Sequence, residues 1–130
     1  MAEIIERAIV SGGRDFKDKD LVWSWLSWLK PRFIIVGSDR GADKLASDWA
    51  GLHGIPCAVV RSAWEKYNRA GGPIRNGWML LLSPTHLIAF PGGRGTKDMI
   101  RKAIKANLEI YPIESGSEPP DPWRRAIANV

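Results

Sequence analysis

Short apolar runs alternate with amphipathic stretches from residue 8 to about residue 113. Five runs read as strands: Ala8-Ile9-Val10-Ser11, Phe33-Ile34-Ile35-Val36, Cys57-Ala58-Val59-Val60, Leu87-Ile88-Ala89-Phe90 and Leu108-Glu109-Ile110-Tyr111. Most are continuously apolar, the pattern of strands covered on both faces, which points to a parallel sheet between layers of helix.

The stretches between them have helical spacing. Leu21, Trp25, Trp28 and Leu29 share one stripe, with Asp18 as N-cap and Pro31 ending the run. Ala42, Leu45, Ala46, Trp49 and Ala50 repeat the spacing, and Gly54 sits where a terminating glycine belongs. Pro73 suits the first turn of a third helix, with Ile74, Trp78, Leu81 and Leu82 as its apolar side. Thr96 is placed to cap a fourth, with Met99, Ile100, Ala103 and Ile104 as its stripe. Strand and helix therefore alternate through an α/β fold: one open, doubly wound, five-stranded parallel sheet with helices on both faces. Residues 1–113 form a single domain. Residues 114–130 read as a polar, proline-rich linker and a short tail, in which Trp123 favours docking.

Composition narrows the class. At 130 residues, 45% hydrophobic and 25% charged, the chain is an ordinary globular one and not a disordered one. No apolar run is long enough to span a bilayer, and the opening residues lack a signal-peptide pattern, so the expected compartment is the cytoplasm. The single cysteine, Cys57, permits no internal disulfide, and no Cys/His spacing suggests a metal. A net charge of +5 permits an anionic partner without choosing one.

In a doubly wound sheet, ligands bind beyond the carboxyl ends of the strands. The loops there hold Gly12, Gly13, Arg14, Asp15 and Phe16; then Gly37, Ser38, Asp39, Arg40, Gly41 and Asp43; then Arg61, Trp64, Tyr67, Arg69, Gly71 and Gly72; then Pro91, Gly92, Gly93, Arg94, Gly95 and Thr96. Glycine permits close approach of the backbone, helix starts favour phosphate, and arginine adds bidentate bonds to it. One such turn is ordinary turn chemistry; four at one edge point to an anionic ligand. The Gly92–Thr96 stretch is neither a Walker loop nor the dinucleotide fingerprint. Trp64 and Tyr67 offer surfaces for a base to stack on.

Other residues have plainer readings. His53 suits the end of a helix, His86 starts a strand, and Cys57 packs. Trp23 and Trp25 lie about 200° apart on their helix, so Trp23, Trp25 and Trp28 cannot share one core, and one of them is expected to face a partner subunit.

Four stretches carry a resemblance. Gly12-Gly13-Arg14-Asp15-Phe16, Gly37-x-x-Arg40-Gly41-Ala42-Asp43, Ala70-Gly71-Gly72-Pro73-Ile74-Arg75-Asn76 and Ala89-Phe90-Pro91-Gly92-Gly93-x-Gly95-Thr96-x-Asp98-Met99 resemble the SLOG superfamily, in particular its YspA-type branch of bacteria and their phages. The resemblance covers residues 8–113. It implies a Rossmann-like fold, binding of nucleotides or nucleotide-derived ligands, and for some members a sensing role in phage–host conflict. The Lonely Guy phosphoribohydrolases of the same superfamily carry P-G-G-x-G-T-x-x-E. Pro91–Thr96 matches it, and Arg75 matches the arginine of their second motif, but the glutamate falls on Met99 and the other catalytic arginine on Leu81. By that comparison the phosphate cradle is kept and the hydrolytic pair is not.

The expectation is thus a binding module that senses, carries or sequesters a nucleotide or nucleotide second messenger. Gly92–Thr96 cradles phosphate, Arg14, Arg40 and Arg75 pair with its charge, and Asn76 and the remaining loop residues complete the site. No further cofactor is expected. The alternatives are a nucleotide N-glycosidase, with Asp98 or Asp15 as the carboxylate, and a single-stranded DNA-binding protein. The resemblance also implies a homodimer or higher oligomer.

Overall fold

The computed structural model describes residues 3–62 and 70–120. They form β1 (Ala8–Ser11), α1 (Lys19–Leu29), β2 (Ile34–Gly37), α2 (Ala42–His53), β3 (Cys57–Val60), α3 (Gly71–Leu80), β4 (His86–Ala89), α4 (Arg94–Lys105) and β5 (Glu109–Pro112). All strand pairs are parallel, in the order β3-β2-β1-β4-β5. The chain winds outward from β1 through β2 to β3, then returns to the other side of β1 for β4 and β5. Strand order therefore reverses between β1 and β4.

Alternation along the central strands divides the core in two. Ala8, Val10, Ile34, Val36, Ile88 and Phe90 face α1 and α2. Ile9, Ile35, Leu87 and Ala89 face α3 and α4, with Met79, Met99 and Ala103. The chain is a three-layer α/β/α fold of Rossmann type. Burying one Ile or Leu side chain contributes about 1.5–3 kcal/mol, so these three strands anchor the fold. The edge strands β3 and β5 are only half covered.

Several terminal signals work as expected. The Asp18 carboxylate accepts the Leu21 amide at 3.1 Å, and left-handed Gly54 ends α2. Others differ. Gly93 is the cap residue of α4, and Thr96 lies in its first turn. On α3 the buried side is Gly71, Gly72, Arg75, Asn76 and Met79, whereas Trp78, Leu81 and Leu82 are exposed. The polar side of α3 faces inward because it forms the wall of a cleft.

The tryptophans of α1 pack within the chain. Trp23 Nε1 donates to the Leu45 carbonyl on α2, Trp25 Nε1 donates to Ser117 Oγ, and Trp28 meets Trp25 edge to face. All three are half-buried, packed against the cluster between α1, α2 and the sheet. The Trp25–Ser117 bond also holds part of the expected linker against the domain. The expected docking of Trp123 lies outside the described residues. Among the described residues no helix is long and apolar enough to cross a membrane.

Candidate functional site

Three backbone contacts fix the loop after β1. The Gly13 amide donates to the Pro91 carbonyl at 2.8 Å, and the Gly13 carbonyl accepts from Ala42 at 3.1 Å and Phe16 at 3.2 Å. One glycine thus ties the β1, β4 and α2 termini together. Gly92 needs to be glycine: a Cβ there would overlap Thr96 Oγ1 and lie 2.7 Å from the Gly13 nitrogen.

Above this junction lies a cleft of about 560 Å³ at the strand-order reversal. Its wall includes Gly12, Gly13 and Arg14 from the β1 loop, Asp39 and Asp43 from the β2 side, Arg75, Asn76 and Met79 from α3, and Gly93–Thr96, Asp98 and Arg101 from α4. Gly93 caps the start of α4 without a side-chain hydrogen bond, and Gly93–Thr96 line the mouth of the cleft.

Arg75 is the deepest cation. Its side chain is 9% exposed, and Nε donates to Asn76 Oδ1 at 3.1 Å. Nη2 stands 3.6 Å from Asp39 Oδ2 and Nη1 4.0 Å from Asp43 Oδ2, and buried Nη1 has no hydrogen-bond partner. Gly37 makes this possible, since any Cβ there would overlap the guanidinium. Asp43 accepts the Asp39 amide at 3.2 Å. Burial pushes its pKa up to about 6, outweighing the attraction of Arg75.

Asn76 joins two walls, donating to the Gly95 carbonyl at 3.1 Å and to Asp98 Oδ2 at 2.9 Å. Both Asp98 oxygens accept from Lys102, at 2.7 and 2.6 Å. Burial works to raise the Asp98 pKa, but the bonds from Lys102 and Asn76 prevail and hold it below its usual value. The carboxylate is therefore charged at neutral pH and unsuited to donate a proton.

The cleft gathers Gly12, Gly13, Arg14, Asp43, Arg75, Asn76, Gly93, Arg94, Gly95 and Thr96 from the expected set. Other members stand elsewhere. Arg40 is turned to Asp15, both exposed, and that bond holds the Asp15 pKa low. Phe16 packs on Phe90 with ring centroids 6.3 Å apart. Ser38 is exposed. Gly37, Gly41, Pro91 and Gly92 shape the floor and turns without lining the opening. Trp64 and Tyr67 lie outside the described residues. Met99 is fully buried in the core, and the residue of α4 that faces the cleft is Asp98. Leu81 lies exposed beyond α3.

Arg101 was not expected. Its signal was available: Arg94, Asp98 and Arg101 lie at i, i+4 and i+7, one face of a helix. A second groove, of about 450 Å³, runs between α1 and residues 116–119. Asp18, Asp20 and Glu118 line it without a lysine or arginine, which disfavours an anion there.

A parallel α/β sheet with a cleft of glycines, arginines and aspartates at its strand-order reversal places the chain in the Rossmann-like class, in which ligands bind at that position. Residues 6–67 match the model of the YspA, cpYpsA-related SLOG family. The chain is also 32% identical to the Gene 61 protein of Mycobacterium phage D29, over 128 residues that take in 88% of this chain and all of that relative. The chain belongs to the YspA, cpYpsA-related SLOG family. Membership points to a nucleotide-related function.

Proposed function

We propose that the cleft binds a nucleotide or nucleotide-derived ligand and that the protein senses, carries or sequesters it. The observation behind this reading is Arg75, a nine-tenths buried guanidinium that uses one of its five N–H donors in a hydrogen bond. A buried charge with most of its donors unused is costly unless another group completes it. Opposite it, the uncapped start of α4, with Arg94 and Arg101, suits a phosphate. Arg14 closes the β1 side.

Titration calorimetry with nucleoside mono-, di- and triphosphates and cyclic nucleotides tests the reading. One intact ligand per chain is expected, with affinity that does not grow with oligonucleotide length. Length-dependent binding with a steep salt dependence would favour the single-stranded DNA reading instead.

A second reading rests on the position of Asp98. It places a charged carboxylate in the cleft 2.9 Å from Asn76, where it could stabilise positive charge developing on a sugar during base removal. Release of free base on incubation with nucleoside monophosphates, abolished in Asp98→Asn, would establish that activity.

A further inference from the structure

The excess positive charge of the chain is gathered on one helix. α4 holds five of the nineteen Lys and Arg and one of the fourteen Asp and Glu, so the remainder of the chain is close to neutral. Four of the five, Arg94, Lys97, Arg101 and Lys105, are exposed. They recur at i, i+3, i+7 and i+11, within about 80° of one another and along about 17 Å of one helix face. The opposite face, with Thr96, Met99 and Ala103, is buried. Lys102 is turned aside and bonded to Asp98, which faces Asn76 on α3.

This face is not neutralised from within. Among the described residues Arg94, Lys97 and Lys105 pair with no carboxylate, and Arg101 stands 3.7 Å from Asp98. Lys97, Arg101 and Lys105 follow one another at i, i+4, where like charges repel. The first turn holds Arg94 and Lys97 and no acid, at the helix end whose dipole disfavours cations. α4 therefore bears an electrostatic cost that carboxylates from another molecule would relieve.

What stands beside the cations narrows the partner. Ile104, 60% exposed, lies at i+7 from Lys97 and i+3 from Arg101, on the same face. A bilayer surface calls for several large apolar side chains among the cations, and Ile104 is the one exposed on α4. Those of α3 turn elsewhere: Trp78 lies about 200° round its helix from Asn76, the residue bonded to α4. A nucleic acid draws its affinity from about 6–10 phosphate contacts, more than four cations on one helix supply. A short acidic segment of a protein matches the face in length, in charge and in its single apolar contact.

We propose that the exposed face of α4 docks an acidic segment of a partner protein, with carboxylates on Lys97, Arg101 and Lys105 and an apolar side chain on Ile104. Arg94 and Arg101 also line the cleft, whereas Lys97 and Lys105 do not, so the two lysines separate this surface from the ligand site. The assignment does not depend on the nucleotide reading.

The test is fluorescence anisotropy on the full chain with a labelled helical peptide of about four turns carrying Glu and Leu on one face, and with the same peptide carrying Gln for Glu. Wild type is compared with Lys97→Glu/Lys105→Glu and with Lys17→Glu/Lys44→Glu, which makes the same change of net charge away from α4. Thermal melting confirms that each is folded. The Glu peptide is expected to bind wild type at least about tenfold more tightly than the Gln peptide, and to weaken as salt rises. Lys97→Glu/Lys105→Glu should lose about tenfold or more in affinity, and Lys17→Glu/Lys44→Glu about threefold or less.

Equal binding of the two peptides, no binding of either, or equal losses in the two variants overturns the proposal. So does tighter binding to a DNA duplex or to phosphatidylglycerol vesicles that is lost in Lys97→Glu/Lys105→Glu, which would give the face to nucleic acid or to membrane.

Discussion

Asn76 Nδ2 stands 2.9 Å from Asp98 Oδ2, and this bond ties α3 to α4 across the wall of the cleft. Asn76 also accepts from Arg75 Nε and donates to the Gly95 carbonyl, so one buried amide positions the deep cation, the cleft carboxylate and the first turn of α4. The chain's own hydrogen bonds hold this arrangement, and on the proposed function that reduces the ordering cost of binding.

Arg75→Ala tests the deep cation. Removing it leaves Asp43 and Asp39 facing each other without a countercharge, and a loss of about 1–3 kcal/mol in stability by urea titration is expected. Nucleotide affinity should fall about tenfold or more. Arg40→Ala provides the contrast. Its ion pair with Asp15 is exposed on both sides, so stability should change by less than about 0.5 kcal/mol and ligand affinity little. Equal effects of the two variants on binding would contradict the placement of Arg75.

Asp43 should give the protein a pH signature. Burial raises its pKa from 3.8 to about 6. A carboxyl raised in the folded state favours folding while protonated. That contribution is complete below about 3.8 and is lost as pH rises through about 6. Relative to Asp43→Asn, which does not titrate there, wild type should lose on the order of 1–3 kcal/mol across that window. Affinity for an anionic nucleotide should rise as pH falls through the same range, because Arg75 then has one fewer anionic neighbour. Denaturant midpoints and calorimetry for both proteins across this range check both parts.

Gly92 and Gly51 should respond in opposite directions to alanine. At Gly92 a Cβ overlaps Thr96 Oγ1, so the β4–α4 turn must shift and ligand affinity should fall. At Gly51, inside α2, a Cβ meets nothing within 4 Å. Gly51→Ala should therefore stabilise the fold by about 0.5–1 kcal/mol without touching binding. Thermal melting with and without nucleotide separates the two.

Glu3 anchors the opposite end of the sheet. Its carboxylate accepts from the Tyr111 hydroxyl at 2.6 Å and lies 2.8 Å from His86 Nε2. The Tyr111 and His86 bonds lower its pKa. The stability this gives is present above the ordinary value of 4.5 and fades as pH falls through the lowered one. Glu3→Gln should flatten that acid-side slope in urea titrations and leave nucleotide affinity unchanged, because it acts away from the cleft.

The sequence carried the fold more clearly than the wall of the site. Runs such as Phe33–Val36 and Leu87–Phe90 are apolar at every position, which leaves little but a strand covered on both faces. Asp18 and Gly54 marked helix ends by their own local chemistry. The apolar side of α3, with Trp78, Leu81 and Leu82, is exposed, whereas Arg75 and Asn76 turn inward and line the cleft. A helix whose buried side carries polar groups reverses the usual rule. Thr96 fell to the same difficulty on a smaller scale, since a hydroxyl near a helix start marks a cap only when the boundary is known. Met99 and Asp98 are neighbours, and their phase, fixed by packing against Met79 and Ala103, decides which of them faces the cleft. That phase is a property of tertiary contact and not of the motif. The pairing of Arg40 with Asp15 was not legible in the sequence, because Asp15 stands 25 residues earlier.

The most direct test is ligand retention. The full chain and Arg75→Ala are incubated with a mixed panel of nucleotides, NAD-derived compounds and cyclic messengers, freed of unbound material, denatured, and read by mass spectrometry. One intact nucleotide-type compound retained near one per chain by wild type, and lost from Arg75→Ala, is the predicted result. Retention of nothing by wild type, or undiminished retention by Arg75→Ala, would contradict it.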